Sequence, residues 1–241
     1  MRRKLELAIR FVEVRHLEST TSTNRVVAEA AAAGAPEGLV VVADYQTAGR
    51  GRLDRRWEAA PGDALLVSVL LRPGGLAVER WHLLSEAAAL SASAACAAVA
   101  GVEARIKWPN DLQGGEGGAK LAGILAESAE GGVVVGMGLN VHAGPPGAAV
   151  LDNLAGRRVP RWDLLSAWLA ELDRRLDDLE GVADDYSKAC DTVGRRVRVD
   201  RGAAGVLLGV ATRVDSSGRL VVRPDAGSDV ALTVGDVTHI R

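Results

Sequence analysis

The chain has 241 residues and a formal net charge of -2, from 29 basic and 31 acidic side chains, so it lacks the basic excess that general binding to a phosphate backbone requires. Hydrophobic residues make up 48% and charged residues 25%, ordinary values for a folded chain of one large domain or two smaller ones, and they exclude disorder. The uncharged run 87–102 is alanine-rich and only 16 residues long, short and weakly apolar for a bilayer span. The N-terminal stretch MRRKLELAIRF carries basic residues with no apolar core or cleavage site behind them. These features predict a cytoplasmic protein. Two cysteines, Cys96 and Cys190, supply neither a disulfide framework nor a zinc site.

In chain order, FVEVRHLE at 11–18 reads as a strand. The polar cluster 19–24 follows, then a short helix with Val26, Val27, Ala30 and Ala31 on one face, ended by Gly34 and Pro36. LVVVADY (39–45) and ALLVSVLLR (64–72) are strands apolar enough to be covered on both sides. The polar stretch between them, QTAGRGRLDRRWEAAPGD, is long for a connection, and loops of that length more often carry function than not. An alanine-rich helix is expected over 79–100, then strands in EARIKW, AKLAGILAES and GVVVGMGLNV. A second helix over 161–180 places Leu165, Trp168, Leu169, Leu172, Leu176 and Leu179 on one stripe. Beyond Cys190 the chain breaks into short strands separated by Gly, Asp and Ser turns, the pattern of a small β-barrel appended to an α+β domain. The expected division is 1–190 and 191–241.

Four arginines crowd GRGRLDRRW at 49–57, and guanidinium groups hold phosphates or carboxylates in bidentate fashion while glycine lets backbone approach a ligand. Taken alone in an arginine-rich chain, the segment suits a solvated charged loop better. It is not a dinucleotide fingerprint, because Asp54 stands where a third glycine belongs. Nor is GGEGGAK at 114–120 a P-loop, since Ala119 and Leu121 replace its second glycine and its Ser or Thr. Arginine outnumbers lysine 25 to 4, so Lys107 and Lys120, flanking the Gly-rich hairpin, hint at a need for compact point charges. Pro109-Asn110-Asp111 suits a turn as well as a site, and Ser22 or Thr23 suits a helix cap as well as a ligand contact. Trp57, beside arginines on an exposed loop, offers a stacking surface for a base.

Taken together and in order, STN at 22–24, YQTAGRGR at 45–52, KWPND at 107–111, KLAGIL at 120–125 and GMGLN at 136–140 resemble biotin protein ligases. The resemblance implies a class II synthetase-like catalytic domain followed by an SH3-like barrel. It implies a two-step reaction in which biotin and ATP, with Mg²⁺, give biotinyl-5'-AMP, which then acylates one lysine of the biotin carboxyl carrier domain of an acyl-CoA carboxylase. By that match Ser22, Thr23, Asn24 and Gln46 contact biotin's polar ring or line its pocket, and Gly123, Gly136 and Gly138 give its ring system room. Gly51 meets biotin, Arg50, Arg52 and Lys120 meet both biotin and the adenylate, and Arg55, Trp57, Lys107, Asn110 and Asn140 belong to the nucleotide, with Trp57 stacking on adenine. Arg52, Lys120 and Asp111 are the expected catalytic groups, Asp111 orienting the incoming amine.

Asp54 departs from the glycine usual in that loop and bears on its flexibility. Only 21 residues precede Ser22, too few for the winged helix of family members that repress the biotin operon, so a ligase that does not bind DNA is expected. Rival readings are a lipoate ligase or octanoyltransferase of the same fold, and a non-catalytic biotin sensor. A transferase needs a nucleophilic cysteine beside a lysine, which neither Cys96 nor Cys190 provides. A sensor has no need to keep both Arg52 and Lys120.

Overall fold

The computed structural model describes residues 10–53 and 55–240. Its larger sheet has seven strands: β1 (Glu13–Thr20), β2 (Leu39–Gln46), β3 (Ala64–Leu71), β4 (Arg105–Lys107), β5 (Asp111–Gly114), β6 (Ala119–Ala129) and β7 (Gly132–Asn140), arranged β1-β2-β3-β7-β6-β5-β4. β1 and β2 run parallel and every other pair is antiparallel. The strongly apolar runs of β2 and β3 are buried on both faces, as two-sided burial demands. Along them the side chains alternate. Val40, Val42, Leu65, Val67 and Val69 join the main core, whereas Leu39, Val41 and Leu70 meet Val27 and Ala31 of helix α1 (Thr23–Ala32) and Val134 of β7.

The main core is closed by α2 (His82–Ala95) and α4 (Arg161–Leu176), with the short α3 (Leu151–Ala155) and α5 (Val182–Ala189) beside them. The helical run Val78–Ala100 is long and apolar enough to cross a membrane by length and composition, more so than the uncharged run suggested. Yet 67% of its most apolar window is buried within the fold, so it is a core helix. Trp168 of α4 donates its Nε1–H to the Ala88 carbonyl of α2 at 3.1 Å. α2 continues as a π-turn over Cys96–Ala100, and Gly101, at φ 69°, ends it in the left-handed region. α4 is shorter than the periodicity suggested. It stops at Leu176, and Leu179 reaches the core from the connection to α5.

The second unit is a five-stranded antiparallel sheet of β8 (Arg196–Asp200), β9 (Val206–Val214), β10 (Leu220–Pro224), β11 (Val230–Leu232) and β12 (Asp236–His239), ordered β11-β10-β9-β8-β12. Its last strand returns to pair with its first. The unit is moored to the segment after β4: Trp108 N donates to Thr192 Oγ1 at 3.1 Å, and Trp108 Nε1 to the Gly218 carbonyl at 3.0 Å.

One face of the larger sheet is only partly covered. α1 spans ten residues and shields the apolar end of that face. Beyond its N-terminus the strands present small and polar groups in register: Ser68 on β3 opposite Gly136 on β7, Gly123 on β6 opposite Gly138, and Glu127 on β6 opposite Val134. The cleft described next lies on this uncovered floor.

Candidate active site

Every expected site residue but Asn140 lines this one cleft, and Asn140 lines an adjoining pocket that shares Trp57 and Lys120 with it. At the α1 end, Ser22 takes the extended backbone of an N-cap but makes no capping hydrogen bond. Its buried hydroxyl is therefore available to a ligand. Thr23 N and Oγ1 both donate to Gln46 Oε1, at 2.7 and 3.0 Å, which leaves the Gln46 amide nitrogen as a donor without a protein acceptor among the described residues. Ser68, the one polar residue in ALLVSVLL, is buried with its hydroxyl 2.7 Å from Thr23 Oγ1 and 2.5 Å from Asn24 Oδ1.

Asn24 does not offer a free amide: Nδ2 donates to the Leu125 carbonyl and to Glu127 Oε2 at 3.3 and 2.7 Å, while Oδ1 is engaged by Ser68. Asn24 therefore forms part of the site's wall, with its amide nitrogen committed within the chain. Gly136, which also lines the cleft, makes room for that amide, since a Cβ on it would stand 1.9 Å from Asn24 Oδ1.

The arginine-rich loop is a short hairpin. Gly51 N donates to the Arg55 carbonyl at 2.7 Å, and Trp57 N to the Gly49 carbonyl at 3.1 Å. A Cβ on Gly49 would stand 2.3 Å from the Trp57 carbonyl, so closure at its base requires glycine. Leu53 carries the left-handed turn, at φ 55°; Asp54, expected to bear on the loop's flexibility, lies outside the described residues. The indole of Trp57 packs over Gly138 and Gly123, where a Cβ would stand 2.4 and 3.3 Å from ring atoms, and Lys120 Nζ sits 5.7 Å from a ring centroid.

The cations of the cleft face nearby acceptors. Arg50 Nη1 meets Glu127 Oε1 at 2.9 Å, Lys120 Nζ meets Asp111 Oδ1 at 2.7 Å, and Arg55 pairs with Asp236 at the start of β12. Arg52 has a neutral partner, donating from Nη1 to Asn110 Oδ1 at 3.2 Å. Burial pushes its guanidinium pKa below the usual value, and the charge of Asp111 opposes that shift only in part. A cation stripped of water without full compensation is a site that favours an anion.

At the far end, Asn140 Nδ2 donates to the carbonyls of Ala149 and Lys120 at 3.2 and 3.4 Å. Its Oδ1 is buried with no partner, as is Trp57 Nε1. An acceptor without a partner, next to an indole, matches a flat heterocycle bearing an exocyclic amine. Lys107 lines the cleft opposite Asp111 in the β4–β5 pair, so Asp111, which suited a turn as well, opens a strand. Among the described residues, no group of three or more His, Cys, Asp or Glu side chains is placed to hold a metal ion.

The sequence reading missed Ser68, Glu127 and Asp236. Ser68 was signalled by its polarity within an apolar strand. Asp236 had no local signal, because only the folding of the second unit brings it to the cleft.

Residues 16–143 match the Biotin/lipoate A/B protein ligase family. The chain is 38% identical over 234 residues to the biotin–acetyl-CoA-carboxylase ligase of Mycobacterium tuberculosis, covering 92% of this chain and 87% of that one. It is 33% identical to the ligase of the same name from Paracoccus denitrificans, covering 89% and 95%. Among solved structures it resembles the biotin protein ligase from Aquifex aeolicus in complex with biotin and ATP, with a TM-score of 0.82 at 25% identity over 96% of this chain and 100% of the other.

Proposed function

The chain belongs to the biotin/lipoate A/B protein ligase family, and from that premise we propose how its cleft performs the reaction of an ATP-dependent biotin protein ligase. The enzyme forms a carbon–nitrogen bond between biotin and a lysine of the biotin carboxyl carrier domain of an acyl-CoA carboxylase. One observation carries the reading: a single sheet face joins a polar end with two unused donors, a cluster of cations, and an indole beside an amide oxygen that lacks a partner.

Biotin's ureido oxygen is an acceptor, and the Ser22 hydroxyl and Gln46 amide nitrogen are the donors placed to meet it. A site that supplies buried donors rejects acids lacking an acceptor there, such as lipoate. That favours biotin over the family's other substrates. The adenine stacks on Trp57 and gives its amine hydrogen to Asn140 Oδ1.

In the first step a biotin carboxylate oxygen bonds to the α-phosphorus of ATP, and the bond to pyrophosphate breaks. Both reactants are anions, so their approach requires fixed positive charge. Arg50, Arg52 and Lys120 supply it. Because Lys120 is held by Asp111 at 2.7 Å, turning its ammonium towards the reacting groups frees the Asp111 carboxylate. In the second step that carboxylate orients the carrier's lysine, whose free pKa of about 10.4 keeps it cationic until it reaches the site. Once the ammonium has given a proton to that carboxylate, the amine attacks the acyl carbon of the mixed anhydride, the bond to AMP breaks, and the second proton passes to the leaving phosphate or solvent. The hairpin 49–57 keeps water from the anhydride meanwhile. Mg²⁺ accompanying ATP would neutralise part of the phosphate charge during the first step.

We assign 1–190 to the catalytic domain and 191–241 to an SH3-like barrel, and place the protein in the cytoplasm, with no nucleic-acid or membrane partner. The test is mass spectrometry of a purified carrier domain incubated with this protein, ATP, magnesium and either biotin or lipoate. The expected result is the mass of one biotin per domain. Lipoylation alone would refute the substrate assignment.

A further inference from the structure

Glu127 lies on β6 two residues beyond the KLAGIL motif, and nothing in the two reaction steps uses it. Its carboxylate nevertheless joins two parts of the cleft that the chain makes from distant segments. Oε2 accepts from Asn24 Nδ2 at 2.7 Å, and Oε1 meets Arg50 Nη1 at 2.9 Å. Through Asn24 it is tied to Ser68, Thr23 and Gln46, the network that shapes the polar end. Through Arg50 it is tied to the hairpin over the cleft. The sheet fixes Glu127 itself, opposite Val134 in the β6–β7 pair.

The Glu127 and Arg50 side chains are 27% and 57% exposed. A pair so wetted changes an equilibrium constant by about five-fold at most, too little to decide folding. A surface hairpin, however, opens and closes across a free-energy gap small enough for such a factor to matter.

We propose that Glu127 is a positioning residue: it holds the Arg50 guanidinium over the cleft and makes the polar end and the hairpin move as one unit. The inference rests on the ligase reading for its catalytic consequence, which is retention of the adenylate, but not for its structural one.

Glu127→Gln separates the two contacts, because the amide oxygen still accepts from Asn24 while the amide nitrogen cannot pair with Arg50. The first measurement is limited trypsin cleavage at the hairpin arginines without added substrate. Cleavage should be about five-fold faster in Glu127→Gln at an unchanged thermal midpoint. The second is the AMP formed per carrier biotinylated, which should rise by a similar factor as adenylate escapes, with the rate of biotin-dependent ATP–pyrophosphate exchange much less affected. The double variant with Arg50→Gln should leak no more than Arg50→Gln alone. Equal cleavage rates, or leakage factors that multiply in the double variant, overturn the proposal. Should Glu127→Gln lower the thermal midpoint, Arg50→Gln breaks the same pair from the exposed side, and its remaining hairpin arginines report cleavage. If the wild-type chain shows no biotin-dependent exchange, the ligase reading fails, and the cleavage comparison alone decides the role of Glu127.

Discussion

Glu86 lies on α2 within the wall that the second unit packs against. It is 5% exposed, and its Oε2 has no hydrogen-bond partner. The β9–β10 turn presses on it so closely that a Cβ on Gly218 would stand 2.9 Å from Glu86 Oε1. Burial, aided by the charge of Asp215, pushes its pKa from 4.5 up to about 8. The native state therefore holds a proton that the unfolded chain releases above pH 4.5. Stability from this group is complete below pH 4.5, declines as pH rises, and is gone once pH passes about 8. At roughly 1.4 kcal/mol per pH unit, the whole effect has an upper bound on the order of 5 kcal/mol. Glu86→Gln stays neutral throughout. Its stability should match wild type near pH 4.5 and exceed it by a margin that widens to pH 8. Urea unfolding at several pH values measures the margin, and a constant difference between the two proteins across that range refutes the reasoning. Because Gly218 also accepts from Trp108 Nε1, ionising Glu86 should loosen the mooring of the second unit first.

Asp111→Asn should slow transfer to the carrier more than adenylate formation, read by following each half-reaction separately; equal losses would place Asp111 in the first step. Trp57→Ala, which removes the stacking face, should raise the KM for ATP by roughly 10-fold, the range for one stacked base, while the KM for biotin moves less. Lys120→Gln should reduce biotin-dependent pyrophosphate exchange by about 100-fold, as loss of one group preorganised for the transition state does; a change under three-fold would exclude it from the chemistry. Cys96, whose thiol burial pushes up to about 12, should resist iodoacetamide at pH 8 in the folded protein and react after denaturation.

The sheet was legible where apolar strands had to be covered on both sides, as in β2 and β3. It was less so where short elements depend on tertiary partners: β5 is four residues long and takes Asp111 into a strand, while Asn110 stays in the turn that local preference reads for both. The order of five motifs located the cleft. What those motifs could not convey was which atoms the fold consumes internally. Asn24 and Gly136 belong to the resemblance as pocket residues, and the strand register that sets Ser68 opposite Gly136 also packs them against each other. Glu127 and Asp236 escaped notice because a carboxylate becomes informative only when its partner, tens or hundreds of residues away, is known.

Three of the cleft's cations meet carboxylates of the same chain: Arg50 with Glu127, Lys120 with Asp111 and Arg55 with Asp236. Arg52, Arg56 and Lys107 line the same cleft and have no carboxylate partner among the described residues, so the mouth keeps a modest positive excess that draws in a triphosphate. Added salt should then slow the encounter, though less steeply than for a cleft in which all six cations were uncompensated. Discrimination falls to the exchange itself, where a substrate must outcompete a tethered rival for each of the three paired cations.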